Sequence, residues 1–206
     1  DIIAVGGQHA LNLFKKMGHL DKFLFPVENL RYNNLPIATT QGLNKSGLEN
    51  FSKKIIILFD IEIIINLRLI NCINNLSEKF NNIEWSVKFH PANKFNVKKY
   101  LKCKFQIIEG DLKDYLFNID LALAVSNSGS SVDMHLMGKP LIVFRDISTV
   151  NFSPFLKYSD EIKYVTNINE IEKAIEFKDN QTSMKEDFLW LNKNLTKWKK
   201  FLDTHI

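Results

Sequence analysis

From Lys54 to about Phe177 the chain alternates short apolar runs with segments of helical periodicity. The apolar runs are KIIILFD (Lys54–Asp60), EWSVKFHP (Glu84–Pro91), KFQIIEG (Lys104–Gly110), IDLALAVSN (Ile119–Asn127) and PLIVFRD (Pro140–Asp146). A weaker run, IKYVTN, follows. Strands with one wet face alternate apolar and polar residues; nearly continuous apolar strands belong to parallel sheets covered on both faces. Between them lie helical stretches over about 61–80, Asn96–Cys103, Asp111–Phe117, Ser130–Met137 and Ile168–Phe177. The sequence therefore predicts an α/β domain built on a doubly wound, Rossmann-like parallel sheet.

The flanks read differently. IIAVGG (Ile2–Gly7) is a strand ending in a tight turn, and Ala10, Leu11, Phe14 and Met17 then recur at helical spacing, with Gly18 placed to cap the helix. Residues 38–54 are polar, contain Gly42, Ser46 and Gly47, and read as a linker. The expected division is 1–50, the end of one domain plus this linker, and 51–206, the sheet domain. A last amphipathic helix over Ser183–Leu202, carrying Phe188, Leu191, Leu195, Trp198 and Leu202, is assigned to the second. The chain opens at Asp1 within a strand, so a fragment of a longer protein is expected.

Composition narrows the classes. The 206 residues are 45% hydrophobic and 24% charged, the balance of a globular chain. A net charge of +4 suits an anionic ligand or a peripheral stay on an acidic membrane face. The lysines are spread along the chain, which argues against nucleic acid as a partner. Cys72 and Cys103 lie far apart without metal-ligand spacing, so a reducing, cytoplasmic compartment and no metal site are expected. No apolar run reaches the ~18 residues a membrane span requires.

In doubly wound sheets ligands sit outside the carboxyl ends of the strands. Those ends carry Asp60, His90 with Pro91, Glu109 with Gly110, Ser126 to Ser131, and Arg145 with Asp146. The stretch SNSGSS (Ser126–Ser131) leads into a helix, and amides at a helix start attract anions. Gly129 would let a ligand approach the backbone, Ser128, Ser130 and Ser131 could donate hydroxyl hydrogen bonds, and Asp133 could accept from ribose hydroxyls. Serine is equally a good N-cap and Asp a good first-turn residue, which gives the loop a structural reading too. His90 at a strand tip, its turn set by Pro91, could hydrogen-bond a phosphate or protonate a leaving oxygen. Lys88, Asn127 and Arg145 complete the candidate set.

These residues carry a resemblance. Lys54 to Phe177 resembles the C-terminal, donor-binding half of a GT-B glycosyltransferase. KFHP resembles the His-Pro motif of bacterial sialyltransferases, Kdo transferases and teichoic-acid transferases; SGSS, Asp133 and GKPLIVF resemble their serine motif and the strand after it. The resemblance implies an inverting, metal-independent transferase of surface polysaccharide assembly that needs no cofactor. It also implies a CMP- or CDP-linked sugar donor whose phosphate meets His90 and Ser130 or Ser131, and a glycan or lipid-linked acceptor held by a missing N-terminal domain. Asp133 stands where many GT-B enzymes keep a longer, ribose-binding glutamate, and the serine-to-Gly138 spacing is short. HPANKFNV and LIVFRD also resemble non-hydrolysing UDP-N-acetylglucosamine 2-epimerases, and a non-catalytic nucleotide- or sugar-recognition module is the third reading.

Overall fold

In a computed structural model the fold is described for residues 2–35, 52–115, 118–155, 162–176 and 188–205. In chain order the elements begin with β1 (Ile3–Val5), α1 (Gln8–Lys16), β2 (Leu24–Pro26), β3 (Lys53–Leu58), α2 (Ile63–Lys79) and β4 (Ile83–Lys88). They continue with β5 (Phe105–Ile107), β6 (Leu121–Val125), α3 (Ser130–Leu136), β7 (Leu141–Phe144), β8 (Lys163–Val165), α4 (Ile168–Glu176) and α5 (Thr196–His205). They form two compact units, one of Ile37–Ser183 and one of Asp1–Pro36 with Met184–Ile206.

The larger unit is the expected doubly wound sheet. Six parallel strands run in the order β5-β4-β3-β6-β7-β8. The chain builds outward from β3 to β5, returns, and builds outward on the other side from β6 to β8. Ile55, Ile56, Ile57, Leu58 and every residue of β6 and β7 are buried, which explains their unbroken apolar character. On one face α2 presents Ile65, Leu69, Ile73 and Leu76 at helical spacing to Ile55, Ile57, Val87 and Leu123. Each such side chain contributes about 1.5–3 kcal/mol on burial.

Two expected helices are single 3-10 turns. Asn96–Cys103 coils only at Val97–Lys99, and the described part of Asp111–Phe117 only at Leu112–Asp114. Each turn buries one residue, Val97 or Leu112, so no apolar stripe offsets the cost of nucleating a longer helix. Most of the expected linker lies outside the described residues.

The smaller unit joins the two ends of the sequence. Parallel strands β1 and β2 pack with α1 through Val5, Leu11 and Leu24, against Trp190. Trp190 N–H donates to Gly6 O (3.0 Å), and Asn29 N–H donates to Trp190 O (2.8 Å). A Cβ on Gly7 would lie 2.3 Å from Phe188 O, so only glycine admits this segment. The sequence grouped the last helix with residues 51–206; its contacts group it with the first 36 residues. Of the expected helix over Ser183–Leu202, residues 183–187 lie outside the described residues, and among the described ones α5 starts only at Thr196. The Asn192 side chain accepts from Asn194 N–H (2.9 Å), and Leu195 takes φ 51°, so the asparagine-rich stretch before α5 turns instead of coiling.

Glu28, 1% exposed, holds α5 in place. Its carboxylate accepts from the N–H groups of Lys197 (2.9 Å) and Trp198 (3.0 Å) and from the Thr196 hydroxyl (3.2 Å), and Trp198 Nε1–H donates to Glu28 O (2.8 Å). A carboxylate from a distant part of the chain thus satisfies the orphan amides of a helix start. Burial pushes the Glu28 carboxyl up, but these hydrogen bonds outweigh it and hold it below its ordinary value. A depressed carboxylate adds stability above its unfolded pKa, and that stability is lost as pH falls through the folded pKa. Glu28→Gln is therefore expected to destabilise the smaller unit by about 2 kcal/mol near neutral pH. The penalty should shrink below the ordinary glutamate value of 4.5, as followed by Trp190 and Trp198 fluorescence in urea titrations.

Candidate functional site

The strand order reverses between β3 and β6, so the loops leaving these two strands flank a crevice at the carboxyl edge. The β3 loop, Phe59 to Glu62, is held by Asn66. This fully buried side chain accepts from Asp60 N–H (3.0 Å) and donates to Asp60 O (2.8 Å), replacing the peptide partner that the strand end lacks. Asn93 Nδ2 donates to Ile61 O in the same loop. The turn after β4 is thereby tied to the loop after β3.

That turn carries His90. Its carbonyl accepts from Asn93 N–H (3.0 Å) and its Nδ1 accepts from Ala92 N–H (3.2 Å). An Nδ1 that accepts leaves the neutral ring's proton on Nε2. Half-buried His90 therefore offers a donor, the polarity suited to a phosphate or developing oxyanion. β3 lies between β4 and β6, so the two strand ends are about 10 Å apart.

On the β6 side, Ser126 and Ser128 are buried, and Ser128 N–H bonds back to Val125 O (3.0 Å). Ser131 is also buried; its hydroxyl donates to Ser128 O (2.5 Å) and closes the first turn of α3. Gly129 is the N-cap at φ −64°, ψ −26°, a conformation open to any residue, so only its missing side chain distinguishes it. Gly129, Ser130 and Asp133 are partly exposed, and Asp133 lies in the first turn of α3. Asn127 Oδ1 accepts from Phe152 N–H (2.9 Å) and fastens this loop to the one after β7.

Two further candidates are Lys88 and Arg145. Lys88 Nζ donates to Gly110 O (2.6 Å), toward β5. Arg145 is exposed, while buried Asp146 pairs with Arg68 of α2. Burial pushes the Asp146 carboxyl up, but hydrogen bonds from Ser148 N–H and Oγ–H and the charge of Arg68 hold it below its ordinary value. Arg68 and Asp146 border a largely apolar cavity of about 630 Å³ with Ile64, Leu67 and Phe144. Burial pushes the thiols of Cys72 and Cys103 up, away from the nucleophilic thiolate. Among the described residues no group of three or more His, Cys, Asp or Glu side chains could hold a metal ion.

Asn66, Asn93 and Arg68 are absent from the sequence-based candidates. Asn66 had a signal: it sits on the apolar stripe of α2, in line with Leu69, Ile70 and Ile73. A polar residue there needs a buried partner. Replacing it with leucine orphans Asp60 N–H and C=O. Asn66→Leu is expected to cost about 2–4 kcal/mol in urea unfolding of the larger unit, monitored by Trp85 fluorescence.

No family model and no curated protein matches the sequence. Solved structures do match. The chain superposes on a Staphylococcus aureus MnaA–UDP structure with TM-score 0.62 at 14% identity, covering 98% of this chain and 60% of that one. A UDP-N-acetylglucosamine 2-epimerase gives TM-score 0.54 at 16% identity over 87% and 50%, and the glycosyltransferase SnogD from Streptomyces nogalater gives 0.52 at 10% over 87% and 50%. The chain thus spans 50–60% of the length of these proteins. At such identities the likeness shows the fold: a Rossmann-like α/β domain of the GT-B kind.

Proposed function

We propose that this chain is the nucleotide-sugar-binding part of a glycosyltransferase of surface polysaccharide assembly. The observation that carries the reading is the crevice at the β3/β6 reversal, where the α3 start and the donor-oriented His90 turn both belong to the carboxyl edge. The donor phosphate would lie against Gly129 and Ser130, with His90 Nε2–H on a phosphate oxygen. Negative charge grows on that phosphate as the sugar departs, so fixed donors there favour the transition state. Asp133 would accept from the ribose. Ser131, its hydroxyl already bonded to Ser128 O, would shape the loop. The preferred donor, from the His-Pro resemblance, is CMP- or CDP-linked. A catalytic base and the acceptor site would come from a further domain, so this chain would bind donor without turnover.

A UDP-sugar 2-epimerase-like enzyme is the second reading, supported by the matched structures that carry UDP or the 2-epimerase name. Thermal melting of the 206-residue chain with CMP, CDP, UDP, GDP and ADP separates the two. A ligand at about 100 times its Kd adds roughly 2.7 kcal/mol, a shift of roughly 5–10 °C. Stabilisation by CMP or CDP, lost in Gly129→Val and reduced in His90→Ala, is the expected result. Stabilisation by UDP alone would favour the epimerase reading, and no shift with any nucleotide would count against a nucleotide site in this chain.

A further inference from the structure

Among the described residues the buried acids are Glu28, Asp60 and Asp146. Glu28 is supplied with donors by the start of α5, and Asp146 by Ser148 and Arg68. Asp60, 6% exposed, differs. Its main-chain N–H and C=O are held by Asn66, but among the described residues no hydrogen bond or ion pair reaches its carboxylate. Arg68 is engaged with Asp146, and Lys88 with Gly110 O. A buried carboxylate gives up much of its hydration, so one without a protein donor points to a donor supplied by a ligand. Its oxygens are not sealed in the core, so a ligand can touch them.

The sheet register places this group. Leu58 pairs with Lys88 of β4 and with Ala124 of β6. Two residues further on, Asp60 stands between His90 and Ser126, one strand spacing of about 4.8 Å from each. Ile55, Ile57 and Phe59 pack on the α2 side of the sheet, so strand alternation turns Leu58 and Asp60 to the α3 side. Asp60 thus lies at the floor of the β3/β6 crevice, between the His90 turn and the serine loop. A phosphate set directly on it would be repelled, whereas hydroxyl groups can donate to both of its oxygens.

We propose that Asp60 is a specificity-determining residue of this crevice: its carboxylate accepts from hydroxyl groups of the donor sugar and selects a neutral sugar over one that carries a carboxylate. The inference rests on the nucleotide-sugar reading above and goes beyond it by naming the class of sugar.

The test is calorimetric titration of the chain with CDP-glucose and UDP-glucose, each beside its free nucleoside diphosphate, and with CMP-N-acetylneuraminate, an acidic sugar donor, beside CMP. Each is repeated with EDTA and on Asp60→Asn, whose melting temperature is compared with that of the unsubstituted chain. At least one glucose conjugate should bind and lose about tenfold in affinity in Asp60→Asn, while its free nucleotide binds as before or more tightly. CMP-N-acetylneuraminate should not weaken in the variant, because a like charge has been removed. The variant should melt at least as high as the unsubstituted chain, since no protein partner is lost. If none of the nucleotides or conjugates binds, the nucleotide reading falls and this inference with it. If a free nucleotide binds, this inference alone is overturned by any of three results: neither glucose conjugate binds, Asp60→Asn leaves their affinity intact, or the acidic conjugate weakens as much as they do. A lower melting temperature in Asp60→Asn would reveal a structural role, and binding abolished by EDTA would assign the carboxylate to a cation; either result overturns the sugar contact.

Discussion

The carboxyl edge depends on the position of β3. This strand is hydrogen-bonded on both sides, to β4 and to β6, and Ile55 to Leu58 are wholly buried. Its neighbours are β4, the next strand of its own half of the winding, and β6, the first strand of the other half. The chain therefore leaves β3 and β6 on paths that diverge, and the crevice arises from connectivity before any side chain is chosen. A ligand there meets loops whose roots are fully buried, centrally paired strands.

Burial at the roots does not by itself hold the loops. The structure does that with amides. Asn66 stands in for a missing peptide, Asn93 joins two adjacent loops, and Asn127 joins two more. Asn66 donates and accepts at once, Asn93 donates and Asn127 accepts, and each side chain is neutral, so no charge has to be buried to fasten the backbone. Asp146 is the exception: it is buried, and exposed Arg68 and Ser148 supply its charge and hydrogen-bond partners. The asparagine richness of the sequence thus has local structural work at several positions, whatever its origin.

The sheet was legible because apolar strand runs are a local signal that tertiary structure reinforces. Each of the six parallel strands, including the weak IKYVTN run, appears within one to three residues of the expected boundary at both ends. The short helices were less legible. VKKYL has helical spacing at Val97 and Leu101, but two buried residues do not hold a helix against the pull of the neighbouring turns. At the edge, His90 and the serine loop could be placed by the rule of strand ends, since topology sets where those ends lie. Which atoms point where could not. The Ser131 hydroxyl turning onto Ser128 O and Lys88 reaching Gly110 O both depend on contacts between residues that sequence spacing does not relate. The Glu28 cap on α5 was out of reach for the same reason, since its partners follow it by 168 to 170 positions.

That last separation has a consequence for synthesis. Chains grow at about 5–20 residues per second, so Glu28 leaves the ribosome roughly ten to thirty seconds before the amides it will cap. All six strands of the parallel sheet are made in that interval. The larger unit can complete its winding while β1, α1 and β2 still wait for their closing segment. The smaller unit is then the last to form, and until Trp190 and α5 arrive its apolar residues are exposed to whatever chaperone or neighbouring surface is at hand.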